Sequence, residues 1–151
     1  MALYQTNELI FDLPDSLKDK THHIFSLTDD GPSPFTLVIS RHSVAVDETL
    51  NAYGDRLIGE MRKALPAFEL QDRTLTLVAG EPALRLAYHW GQNGQKLHQI
   101  QVTVFRIAAL NRKQAIQFTA TGHDDISPDW QSSFAQIVAS IRLNKFAEAV
   151  V

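Results

Sequence analysis

The chain has 151 residues, enough for one domain with a sizeable core, and its 44% hydrophobic and 21% charged residues exclude a disordered polymer. A formal net charge of −3 argues against a sequence-independent phosphate-binding surface, so no nucleic-acid partner is expected. Cysteine is absent, which excludes disulfide staples, thiolate zinc sites and cysteine nucleophiles.

The opening segment, MALYQTNELIFDLP, carries neither a basic region nor a long apolar run, so it does not read as a secretory signal. No stretch approaches the roughly 20 apolar residues of a membrane span, and the expected location is cytoplasmic, with no stable membrane insertion. The loose alternation that ends at Pro14 predicts a first strand. HHIFSL (22–27) and PFTLVISR (34–41) predict the second and third, joined by the turn formers DDGPSP. Phe25, Leu27, Phe35, Leu37 and Ile39 form their expected core face. In DETLNAYGDRLIGEMRKALP, residues Leu50, Tyr53, Leu57, Met61 and Leu65 recur at three- and four-residue spacing, which predicts an amphipathic helix. Asp47 is its expected cap, through a carboxylate that accepts from first-turn amides, and Pro66 is its stop.

Four strands are predicted next: FELQDRTLTLVA, ALRLAYHW, KLHQIQVTVFRIAAL and AIQFTATG. The short turns GEP, GQNG and NRK join them into an antiparallel meander. SPDWQSSFAQIVASIRL predicts a closing helix with Ser127 as cap and Pro128 at the first helical position. Its apolar stripe is Trp130, Phe134, Ile137, Val138 and Ile141, and the tail NKFAEAVV is expected to fray or to dock on a neighbour. The sum is an α+β fold over residues 1–151 as a single domain: an antiparallel sheet of about six or seven strands with two main helices packed on one face, the other face left partly open.

Six histidines invite a search for chemistry. His22 and His23 point to opposite faces if they lie in a strand, so the pair cannot chelate one ion. His42 begins a loop. His89 and His98 flank the GQNG turn and are candidate cross-strand neighbours. The stretch GHDD supplies His123, Asp124 and Asp125, an imidazole and two carboxylates in one loop; it is the best metal or acid–base candidate, set against a solvated turn that leads into a capped helix. A nucleophile elbow, a phosphate loop and a dinucleotide fingerprint are all missing. GQNG joins two strands, whereas a phosphate cradle has a helix N-terminus behind it. The reading is not an enzyme, with no cofactor and no assigned metal.

The second face of the sheet is unusual. It collects His22, Ile24, Ser26, Thr36, Val38, Ser40, Gln99, Gln101, Thr103, Phe105 and Gln117 if Ile100, Val102, Val104, Ile116 and Phe118 face the helices. Composition alone favours an ordinary half-solvated sheet. The near-absence of Lys and Glu argues the other way, because both are usual on wet strands, where they discourage aggregation. Apolar strips among neutral hydrogen-bonding groups suit an apolar helix, whose backbone is already satisfied. One sheet covers only one side of a helix, so two copies are expected to face each other.

The segments MALYQTNE, FDLPD, PFTLVISR, DETLNAYGDR and SFAQIVASIRL resemble the Eag family of type VI secretion effector chaperones, within the DcrB-like group of PsbP-like fold, over essentially the whole chain. The resemblance implies protein transport by a homodimer. Its clients are the N-terminal transmembrane segments of PAAR-containing, often Rhs-type, effectors, shielded until the effector is loaded on the VgrG spike. It also implies an apolar groove on the second and third strands, here Ile24 and Val38. His22 stands where the family has another apolar residue. A family glutamine corresponds to Gln101, or else to Gln99. The alternative reading is a generic protein- or ligand-binding domain of the same fold with no secretion role; an enzyme using His123 and Asp125 is a third.

Overall fold

The computed structural model describes residues 1–144, so the last seven residues of the expected tail lie outside it. Ten elements follow one another: β1 (Ala2–Gln5), β2 (Ile10–Leu13), β3 (His23–Ser26), β4 (Phe35–Val44), α1 (Leu50–Ala64), β5 (Glu69–Val78), β6 (Glu81–Gln92), β7 (Gln95–Ala109), β8 (Arg112–His123) and α2 (Pro128–Ala139). The predicted first strand is instead a hairpin, β1–β2. The polar run Gln5-Thr6-Asn7-Glu8 breaks the alternation, and the Thr6 N–H donates to Leu9 O at 2.8 Å to close the turn. The other six strands form one antiparallel sheet in the order β3-β4-β8-β7-β6-β5. The meander β5 to β8 is as the turns foretell, and the α+β class holds.

Both helices begin with a side-chain cap. At α2 the cap is Ser127, whose Oγ accepts from the Trp130 N–H at 3.2 Å, with Pro128 following as expected. At α1 the cap is Thr49, not Asp47: its Oγ1 accepts from the Ala52 N–H at 3.1 Å. The helix starts two residues later than the acid would place it. It ends at Ala64, and Leu65 is extended, as a residue before proline must be.

The two helices do not share a face. Cross-strand partners point to the same side of a sheet, so the register sorts the residues. Phe35, Leu37, Ala83, Ala87, Ile100, Val102, Val104, Phe118 and Ala120 lie on one side and pack with Phe134, Trp130 and Val138 of α2. Phe35 and Trp130 stack at 4.7 Å. Leu84, Leu86 and Tyr88 lie on the opposite side and pack with Ile58 and Met61 of α1. The expectation of both helices on one face therefore fails, and the reason is in β6. Its alternation sets large apolar Leu84, Leu86 and Tyr88 against small Ala83 and Ala87, with Arg85 between them drawn off to Asp72, so apolar groups on both of its faces need cover.

α1 comes close to β6 at Gly54: a Cβ there would meet Leu84 Cδ2 at 2.8 Å and the Arg73 guanidinium at 3.0 Å. Arg73 fixes the approach from β5, donating to Asp55 Oδ1 at 2.7 Å and to the Asn51 carbonyl at 3.1 Å. The edge strand β3 departs from expectation too. Phe25 is 52% exposed and Leu27 48%, because the α2 cluster stops at β4 and leaves the edge uncovered. Leu86→Ala is expected to lower unfolding free energy by about 2–5 kcal/mol in a urea titration, through the cavity left under α1. Leu75→Ala, on the same face but 64% exposed, should change it by less than about 0.5 kcal/mol.

Candidate functional site

The face under α1 is the second face singled out in the sequence. Register places Ile24 opposite Val38, Ser26 opposite Thr36, Val38 opposite Thr119, Thr36 opposite Thr121, and Gln99 and Gln101 opposite Thr121 and Thr119. α1 divides this surface. Its first turn brings Tyr53 over β7 and β8, where the phenol meets the Gln117 amide and Thr103, and its ring packs edge-on against Phe105 at 5.5 Å. Burial pushes the Tyr53 phenol up, so it stays a neutral donor and acceptor. Ser40 joins the same bed and donates to Gln117 Oε1 at 3.4 Å.

Four expected groove residues are therefore not open to a partner: Ser40, Gln101, Thr103 and Gln117 are buried. Phe105 is half-buried beneath Tyr53. The cause is the seat of α1 on this side. Gln101 donates weakly to Thr119 Oγ1 at 3.5 Å, and its buried Oε1 has no partner among the described residues. Gln99 is better satisfied: Nε2 donates to Thr121 Oγ1 at 3.0 Å, and Oε1 accepts from Trp90 Nε1 at 2.9 Å.

Beyond α1 the face is open. Ile24 is 69% exposed, Ser26 is exposed, and Thr36, Val38, Gln99, Thr119 and Thr121 are half-buried. None of these side chains is charged. The patch runs into a depression of about 480 Å³ lined by Ile24, Ser26, Thr36, Leu97, Thr121 and His123. Thr119, which strand parity with Gln117 already puts on this face, and Thr121, which was missed although its alternation with Ala120 signals it, both belong to this surface. His22 is exposed and precedes β3, outside the paired register.

The GHDD grouping is split. His123 pairs with Leu97 and stays on the α1 side. Asp125 turns to the other side and reaches His89 Nε2 at 2.8 Å. One loop thus serves two surfaces, and His123 with Asp125 do not form the expected acid–base pair. His89 and His98 are cross-strand neighbours, as their spacing suggests.

The DcrB family model matches residues 8–140. The chain belongs to the DcrB family. It is 32% identical over 111 residues to a Pseudomonas aeruginosa protein named Effector EagT6, covering 73% of this chain and 77% of that one. The resemblance to Eag proteins is thereby borne out. A crystal structure from the same species, PA94, described as a protein of unknown function, superposes with a TM-score of 0.75 at 26% identity, covering 97% of this chain and 99% of that one. LpqN of Mycobacterium tuberculosis, involved in cell envelope biogenesis, superposes with a TM-score of 0.56 at 23% identity over 77% of this chain and 65% of its own, a likeness of fold alone.

Replacing Tyr53 by Phe would leave the buried Gln117 amide without its partner. Chemical denaturation is expected to register a loss of about 1–3 kcal/mol, with a native circular dichroism spectrum.

Proposed function

We propose that this protein is a non-enzymatic cytoplasmic chaperone for a type VI secretion effector. It holds the N-terminal transmembrane helices of a PAAR-containing, Rhs-type effector in water until the effector is loaded on the VgrG spike. One observation carries the reading: the strands of the sheet face that α1 leaves open are apolar at Ile24 and Val38 and bear no Lys, Arg, Asp or Glu there, the nearest acid being Asp29 of the loop at the rim. Membership of the DcrB family and the likeness to a protein named as an effector support it.

The chemistry fits a helix that normally lies in lipid. Such a helix has its backbone bonds made, so the groove needs side-chain contact and a few neutral partners for Ser, Thr or Asn on the client. Thr36, Thr119, Thr121 and the Gln99–Trp90 pair offer these groups without the desolvation cost of a charge. Each client Leu or Ile shielded is worth roughly 1.5–3 kcal/mol. Gln101 lies deeper, under the surface, and acts on the client only if α1 shifts.

Half of a helix would still face water, and a second copy closes that side. The hairpin β1–β2 supports a two-fold pair, since it exposes Leu3, Leu9 and Ile10 and a two-stranded hairpin is marginal alone.

The test is co-expression with the N-terminal region of a PAAR-containing effector from the same organism. That region is expected to be soluble only with the chaperone, in a complex containing two chaperone copies by light scattering. Ile24→Glu and Val38→Glu should fold with near-parental melting temperatures and lose the client. Leu37→Asp, buried against α2, should instead unfold the protein. Full-strength capture by both glutamate variants would contradict the reading, as would equal client solubility without the chaperone.

A further inference from the structure

His89, His98 and Asp125 converge on the side of the sheet opposite the proposed groove, and the groove makes no use of them. Both histidines are buried on adjacent strands, with rings stacked at 4.5 Å, while Asp125 is exposed. His89 Nε2 lies 2.8 Å from Asp125 Oδ1 and 2.9 Å from the Asp124 carbonyl oxygen. His98 Nδ1 lies 4.0 Å from the same Asp125 oxygen. The side-chain donor atoms all fall within 4.8 Å of one another, the one such cluster of three among the described residues.

We propose that His89 Nε2, His98 Nδ1 and Asp125 Oδ1, with the Asp124 carbonyl oxygen as a fourth donor, form a binding site for a divalent transition ion of the zinc class.

The distances suit that ion. Zinc bonds to imidazole nitrogen and carboxylate oxygen at about 2.0–2.2 Å, which in a tetrahedron puts donors roughly 3.3 Å apart. The separations of 2.8 and 4.0 Å bracket this value, and since all three donors lie within 4.8 Å of one another they close onto one ion by side-chain movement, without rearrangement of the strands. Zinc binds the tautomer of neutral His89 whose proton sits on Nδ1, so a proton held on Nε2 toward Asp124 O and Asp125 Oδ1 moves to the other ring nitrogen and the imidazole stays neutral. Two imidazoles, a carboxylate and a carbonyl are a borderline donor set that favours zinc over magnesium or calcium. The left-handed backbone of Asp124, φ 59°, accompanies the turn of its carbonyl toward His89.

Two features oppose binding. His98 Nδ1 accepts the Ile126 N–H at 2.9 Å and must give up that bond. Lys96 and Arg85 add positive potential, although Arg85 is engaged by Asp72 at 3.1 Å. On the other side, burial and the neighbouring His89 hold the His98 pKa below its ordinary value, so it is neutral and basic nitrogen is available. Bound there, an ion ties β6 and β7 to the loop that positions the start of α2.

The experiment uses the full chain, stripped with chelator, and zinc chloride alone. Isothermal titration is expected to give one zinc per chain and a raised melting temperature, with the His89 and His98 ring resonances shifted in NMR spectra. Magnesium should do neither. Asp125→Asn is exposed and should melt with the parent in the absence of zinc, yet it should weaken zinc binding by about a hundredfold or more, beyond the loss of an outer-shell partner. Replacing His22 and His23 together by alanine, the adjacent exposed pair, should leave binding unchanged. Failure to bind zinc, affinity unaltered in Asp125→Asn, or loss of binding in the His22/His23 variant would each overturn the proposal.

Discussion

The seat of α1 on Leu84, Leu86 and Tyr88 governs the molecule. A strand with two apolar faces cannot leave either in water, so β6 must be covered on both sides and each helix takes one. The close approach needs Gly54, where any side chain would strike Leu84. Once α1 is seated, Tyr53 reaches the buried amide of Gln117 and closes a polar bed over β7 and β8. What α1 does not reach, from Gln99 across Thr119 and Val38 to Ile24, is what remains for a partner. The extent of the candidate groove is set by the length and angle of one helix.

This division explains why the same kinds of residue behave differently along one face. Thr103 and Thr119 are both threonines on β7 and β8 facing the same way. Thr103 is sealed under Tyr53, while Thr119 is half open. Buried polar groups under a helix must be paired, and most here are. Gln101 Oε1 is the exception on this face, an acceptor kept dry at the boundary between the covered and the open halves. The open half has the opposite requirement: uncharged, weakly solvated groups that lose little when an apolar surface arrives. The other face follows a separate logic, with α2 sealing Phe35 and Leu37 and the loop before α2 drawing Asp125 to the paired histidines.

Much of the fold is legible in the sequence because strand alternation, short turns and helix stops act locally. The Ser127–Pro128 start of α2, the Pro66 stop and the meander need no tertiary information. The Thr49 cap was obscured by Asp47, an earlier acid of higher capping propensity, and only the final backbone decides between them. Helix placement was also written in the chain, in the run ALRLAY, apolar but for Arg85, but that run reads first as one strand and only then as two largely dry faces. The candidate site was half legible. Parity gives the face to which Ile24, Val38 and Gln99 belong; it cannot say that Ser40 and Gln117 on the same face are covered, since coverage depends on contacts far apart in sequence. The meeting of His89 and His98 with Asp125 is likewise a product of topology, with spacing supplying only the first two.

The central claim is that the half-face beyond α1 is where an apolar client helix lies. Site-specific photo-crosslinking tests it most directly: a photoreactive residue at position 38, or at position 75 on the same face but on β5 at the opposite edge of the sheet, with the effector's N-terminal region co-expressed. The account predicts crosslinks from position 38 that map to the client's apolar segments, and none from position 75. Crosslinks that arise from position 75, or that map only to soluble parts of the effector, would contradict it.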